Sequence, residues 1–89
     1  MTANNIRIDK LLFFLRLAKS RSLAVTWADA GHIRINGHRV ERASATVKAE
    51  DIITLPRGEN VLVIKLVALP TRRGPALEAR TFYALLDTP

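Results

Sequence analysis

Residues 31–40 read Gly31-His32-Ile33-Arg34-Ile35-Asn36-Gly37-His38-Arg39-Val40, and the fold is decided here. Ile33 and Ile35 point to one side of an extended segment and His32, Arg34 and Asn36 to the other, the period of two that marks a half-buried strand. Asn36-Gly37 is the strongest turn signal in the chain, because both residues tolerate the positive φ of the type I′ turn that right-twisted hairpins prefer. A return strand to about Glu41 follows, so Arg34 and Arg39 flank the turn as a basic finger. Gly31 supplies the left-handed residue that closes a preceding helix.

Working upstream, that helix spans about Arg21 to Ala30. Ser20 is its N-cap, since a hydroxyl there can accept a hydrogen bond from a free backbone N–H two or three residues on. Leu23, Trp27 and Ala30 mark its buried face, with Ala24 and Ala28 permitting close approach. A first helix runs from about Asp9 to Ala18, with Asp9 placed to complement the dipole at its start and Arg16 and Lys19 at its end. Ile8, Leu11, Leu12 and Leu15 form one apolar stripe, and Phe13, Phe14 and Leu17 a second on the far side. This helix therefore needs cover on two sides. Lys19 and Ser20 join the two helices in a tight hairpin.

Downstream, a loop from Arg42 to Asp51 leads to a strand over Ile52–Leu55. Pro56-Arg57-Gly58-Glu59-Asn60 turns the chain into a longer strand, Val61–Leu69. Arg72-Arg73-Gly74-Pro75 is a basic loop, and Pro75 opens a last helix to about Leu86. Leu77, Phe82, Leu85 and Leu86, with Tyr83, would cover Phe13, Phe14 and Leu17. The expected class is α+β: a two-helix hairpin, a small mainly antiparallel β-sheet and a C-terminal helix.

The chain has 89 residues and no cysteine, which fits one domain over 1–89 held by packing alone, without disulfides or thiolate zinc sites. No apolar run approaches the roughly 20 residues of a membrane span, and Met1 to Asn5 is polar and uncharged rather than the basic start of a signal peptide. A cytoplasmic location without membrane contact is the expectation. Residues 1–45 carry eight basic against three acidic side chains, and residues 46–89 six against five. The positive field belongs to the N-terminal half. Arginine outnumbers lysine 10 to 4, and its planar fork suits phosphate, so nucleic acid is the leading partner class.

No constellation for catalysis is evident. His32 and His38 have no thiols to join them and match no common metal motif, so neither a metal nor a cofactor is expected. Ser20, Ser22 and Ser44 lack a base and an orienting carboxylate. Gly31, Gly37, Gly58 and Gly74 form neither a P-loop nor a dinucleotide turn. Trp27, at helical spacing from Leu23, reads as core, and the few aromatics give no stacking platform. Recognition should rest on phosphate and shape, in a protein that is not an enzyme.

The ordered set Arg7-Ile8-Asp9-Lys10-Leu11-Leu12, Ser20-Arg21-Ser22-Leu23-Ala24, Gly31 to Val40, and Ser44 with Val47 and Asp51 closely resembles the S4 RNA-binding domain over about residues 6–55. Arg72-Arg73-Gly74-Pro75-Ala76, Glu78-Ala79 and Tyr83, within 56–89, look like the C-terminal part of the heat shock protein 15 family. The resemblance implies an RNA-binding protein on the large ribosomal subunit, contacting ribosomal or transfer RNA in rescue or quality control of stalled translation, and monomeric off the ribosome. It also implies an RNA surface built from Arg7, Lys10, Lys19, Ser20, Arg21, Ser22, Arg34, Asn36, Gly37 and Arg39. Two features depart from the family pattern. Glu50 stands where glycine usually precedes the aspartate, and the basic C-terminal extension of longer members is not found before Pro89.

Two other readings stand beside this one. A double-stranded DNA binder, or weak DNA binding, is suggested by the basic helical hairpin, although Leu23, Val25, Trp27 and Ala28 offer little to read base edges. An accessory module of a separate RNA-modifying enzyme is the other. Arg21 and Arg39 are expected to be exposed and unimportant for folding. About six phosphate contacts should give a log–log salt slope near −4 to −5, an affinity loss on the order of a thousandfold between 50 and 200 mM salt. Polarisation titrations with a labelled RNA hairpin check this, and an affinity indifferent to salt would refute it.

Overall fold

The computed structural model describes residues 4–86. The chain opens with strand β1 (Ile6–Arg7), helix α1 (Ile8–Phe14) and helix α2 (Arg21–Asp29). Then come β2 (Arg34–Ile35), β3 (His38–Arg39), β4 (Thr46–Val47), β5 (Ile52–Arg57) and β6 (Asn60–Leu66). A one-turn helix α3 (Ala76–Ala79), a 3-10 turn (Arg80–Phe82) and β7 (Tyr83–Leu85) end the described chain. Five strands form an antiparallel sheet in the order β3-β2-β5-β6-β7, and β1 pairs with β4 as a separate ribbon. The α+β class, with two helices leading into an antiparallel sheet, is as the sequence implies.

The core lies between the helices and one face of the sheet. Ile8, Leu11, Leu12 and Leu15 bury the first stripe of α1 against Ile33, Ile53, Leu55, Ile64 and Leu66. Ala24 and Ala28 are the fully buried residues of α2. Leu23 and Trp27 are half-buried and Ala30 is exposed, so the small residues make the closest approach, with Val25 and Trp27 packed against the core beside them.

Both helices end in the same motif. After α2, Gly31 takes φ +79°, its N–H donates to Ala28 O (3.0 Å), and the N–H of His32 donates to Trp27 O (2.9 Å). After α1, the residue in the left-handed position is Arg16, at φ +61°. Its N–H donates to Phe13 O (3.1 Å), and that of Leu17 to Leu12 O (3.0 Å). Each is a Schellman closure that satisfies terminal carbonyls. Thus α1 stops at Phe14 rather than near Ala18, and six residues, 15–20, join the helices instead of two.

The Asn36-Gly37 turn forms as expected, with φ +52° and +84°, setting Ile35 opposite His38 and Arg34 opposite Arg39. The loop over 42–51 contains β4, which pairs Val47 with Ile6. The next hairpin turns tightly through Gly58-Glu59, with Arg57 opposite Asn60. The expected long C-terminal helix is a single turn, because β6 has a free edge whose backbone groups need partners. β7 supplies them, pairing Ile64 with Leu85 and Leu66 with Tyr83. Leu77 is accordingly left 79% exposed, so the second stripe of α1 is covered differently. The Arg73 guanidinium lies 4.5 Å from the Phe13 ring centroid, and its Nε donates to Phe13 O (3.1 Å).

Glu50 adopts φ +80°, the left-handed backbone that glycine enters without a steric cost. Its N–H donates to Leu66 O (2.7 Å), and its carboxylate meets Lys65 Nζ at 2.8 Å on the surface. An exposed pair of this kind contributes little. Glu50→Gly should therefore stabilise the fold by up to about 1 kcal/mol, a rise of roughly 4–8 °C at most. Glu50→Ala, which keeps the strain and loses the pair, should give no rise. Paired thermal melts check the difference.

Candidate nucleic-acid interface

The residues singled out in the sequence gather at two places along α2. At its start, Ser20 caps the helix as expected, accepting from the Leu23 N–H at 3.1 Å. Beside it lies Asp9, 1% exposed, which does more than complement a dipole. Arg7 binds it with both Nε and Nη2 (3.1 Å each), Arg21 Nε donates at 3.2 Å, and the Lys10 backbone N–H at 2.7 Å. One buried carboxylate thus joins β1, the first turn of α1 and the first turn of α2. Burial would raise its pKa, but hydrogen bonds from Arg7, Arg21 and the Lys10 N–H, with the nearby Arg21 charge, hold it below the ordinary carboxylate value.

Arg7 and Arg21 remain about half exposed while bound to Asp9, so each offers an outer edge. The expectation that Arg21 is unimportant for folding is corrected: its guanidinium also partners a buried charge. Lys10 lies 5.3 Å above the Phe14 ring, a cation–π contact that keeps its ammonium at the surface. Lys19 and Ser22 are exposed.

At the other end of α2, the β2–β3 ribbon carries Arg34 and Arg39 directly opposite each other. Arg34 Nη1 donates to Gly37 O (3.3 Å) across the turn. The stem of Arg39 lies over Gly31, where an added Cβ would come within 3.1 Å of its Cδ. Among the described residues, Lys10, Lys19, Arg34 and Arg39 form no ion pair. The two groups of cations lie towards opposite ends of α2, whose nine residues span about 13.5 Å at 1.5 Å per residue.

Asn36 has a structural task. Its Nδ2 donates to Asp51 Oδ1 (3.0 Å), its Oδ1 accepts from the Ile52 N–H (2.9 Å), and its own N–H donates to Ile52 O (2.7 Å). Asp51 in turn accepts from the Lys48 N–H at 2.9 Å. Burial pushes the Asp51 pKa up, and the Lys48 N–H, the Asn36 amide and the Lys48 ammonium together bring it below the ordinary value. This latch fixes the ribbon to the sheet. Asp9 and Asp51 as hubs were missed in the sequence reading, although an acid within two residues of an arginine, and an Asn-Gly turn with an acid beyond it, were visible signals.

The site offers guanidinium and ammonium groups, with buried acids that orient some of them. Among the described residues, no three His, Asp or Glu side chains cluster as a metal ion would require. No helix there is long and apolar enough to cross a membrane.

This geometry defines a small α+β domain that presents fixed cations from a helical pair and an adjoining ribbon. The chain belongs to the S4 domain family, which it matches over residues 6–53. It is 36% identical to the RQC P-site tRNA stabilizing factor of Bacillus subtilis over 81 residues, 91% of this chain and 92% of that protein. It is 31% identical to the heat shock protein 15 homolog of Haemophilus influenzae over 83 residues. That match covers 93% of this chain but 63% of the relative, so this chain spans under two thirds of the longer protein. Heat shock protein 15 of Vibrio cholerae, solved as a trimer, superposes with a TM-score of 0.86 at 32% identity, covering 92% of this chain and 82% of that one.

Because the folded pKa values of Asp9 and Asp51 are lowered, their contribution is present above the unfolded value of about 4 and is lost as pH falls through the folded values. The melting temperature should be nearly flat from pH 5 to 8 and fall below pH 4. Asp9→Asn should cost about 2 kcal/mol at pH 7 and flatten the acid limb. Melts of both proteins across that range test this, and an unchanged pH profile in the variant would exclude the hub role.

Proposed function

We propose that this chain is a non-enzymatic, cytoplasmic RNA-binding adaptor that grips structured ribosomal or transfer RNA on the large ribosomal subunit during rescue of stalled translation. The observation that carries it is that, among the described residues, Lys10, Lys19, Arg34 and Arg39, all within the segment that matches the S4 domain, form no ion pair. Phosphates neutralise them at little desolvation cost, since they are exposed. Arg7 and Arg21, oriented by Asp9, add directed N–H groups at the start of α2. Ser22 and the backbone of Gly37 complete the contact surface, while Ser20 and Asn36 hold α2 and the ribbon in place. Two groups of cations towards opposite ends of α2 suit a folded RNA, in which separate backbone segments come together.

Support for the ribosomal setting comes from similarity to a protein whose name assigns it to P-site tRNA, matched over nearly the full length of both chains. The exposed face of α2 offers Ser22, Thr26 and Asp29, with neither Asn nor Gln for base edges, and its one arginine, Arg21, is engaged by Asp9. A major-groove DNA reader is therefore less well supported.

Arg34→Ala/Arg39→Ala should weaken binding to an RNA hairpin at least tenfold and leave the melting temperature within about 2 °C, because both side chains are exposed. Duplex DNA should compete poorly. On sucrose gradients of cell lysate, the protein should travel with free large subunits at low salt and leave them at high salt. Recovery only at the top of the gradient under every condition would refute the ribosomal role.

A further inference from the structure

Between the end of α1 and the distal half of the β5–β6 hairpin, the core is left open. A cavity of about 290 Å³ lies there, floored by Leu17, Leu55, Leu62 and Tyr83. Arg16, Arg57 and Arg80 line it, no acidic side chain among the described residues does, and Leu85 in its wall is 58% exposed. Arg16 is held in place by donating from Nε to Gly74 O at 2.6 Å. Among the described residues, none of the three arginines forms an ion pair. Arg16 follows the C-terminal end of α1, whereas the Asp9 hub sits at its first turn.

Three arginines lining one cavity give it a positive field that attracts an anion. Leu17, Leu62 and the Tyr83 ring, each only partly buried, offer a flat apolar group a surface beside them. Inorganic phosphate would satisfy the arginines and leave the floor wet, and an aliphatic ligand would do the reverse. A nucleotide brings both halves on one molecule, and base stacking on an aromatic ring tolerates any base. We propose that this groove binds one unpaired nucleotide of an RNA strand, its base over Leu17 and Tyr83 and its phosphate among Arg16, Arg57 and Arg80. The site is separate from the Arg34–Arg39 surface and does not depend on what that surface binds.

The test is an NMR titration of the full chain with adenosine 5′-monophosphate and a 5′-phosphorylated tetra-adenylate. Saturable shifts at the Leu17 and Leu62 methyls and the Tyr83 ring are expected, tighter for the tetranucleotide. Adenosine and inorganic phosphate should each bind at least tenfold more weakly than the mononucleotide. Arg57→Glu/Arg80→Glu should weaken the site at least tenfold, and Arg34→Glu/Arg39→Glu should leave it unchanged. If charge reversal disturbs the spectrum globally, Arg57→Gln/Arg80→Gln gives the same comparison. Absence of saturable shifts, phosphate binding as tightly as the nucleotide, or tighter binding by a glutamate-rich peptide would each overturn the proposal.

Discussion

A single buried carboxylate organises the N-terminal half of this protein. Asp9 accepts from two arginines and a backbone N–H while almost wholly removed from water. A carboxylate so placed is tolerated only when its lone pairs are filled by cationic or backbone donors. That requirement fixes Arg7 on β1 and Arg21 on α2 relative to the first turn of α1. The same bonds restrict two flexible side chains, so part of the entropy lost on gripping a phosphate is already lost in the free protein. Stability and binding are therefore coupled through one residue, and acid that weakens the fold also frees both arginines.

How much was legible in the sequence depended on whether the backbone conformation had a residue that advertises it. Asn36-Gly37 and Gly31 announce positive φ, and the ribbon and the end of α2 were read correctly from them. Arg16 adopts the same left-handed backbone without a glycine, so the identical closure of α1 was invisible and the helix was read four residues too long. Glu50 is a further case, where the departure from the glycine pattern changed the residue and not the turn. The C-terminal segment failed for another reason. Its local pattern suits a helix, but the free edge of β6 lies nearly twenty residues earlier in the chain, and pairing with it outweighs local preference for Tyr83–Leu85.

The candidate site was legible as a list of residue types and only in part as a set of roles. Charge counting located the basic half of the chain without resolving which cations are free. Among the described residues Arg34 and Arg39 stand without acidic partners, Arg7 and Arg21 share one, and Asn36 is engaged with Asp51 and Ile52. Those distinctions arise from contacts between residues as far as sixteen positions apart, which spacing along the sequence does not reveal.

The misread C-terminus and the open groove have one cause. A helix through Leu86 would have laid Leu77 and Leu85 over the far side of α1; a strand instead sends Tyr83 to the floor of the groove and leaves Leu85 in its wall. Arg16 then serves twice, ending α1 in a strained conformation and, through Gly74, holding the C-terminal loop beside the opening. A Cβ at Gly74 would meet the Glu78 carboxylate that pairs with Arg72, the movable end of a flexible side chain, so the contact is easily relieved. The segment that escaped sequence reading is thus fixed by its pairing with β6 and by the Arg16–Gly74 hydrogen bond. A left-handed arginine and an edge strand together bring Arg16, Tyr83 and Leu85 to one groove.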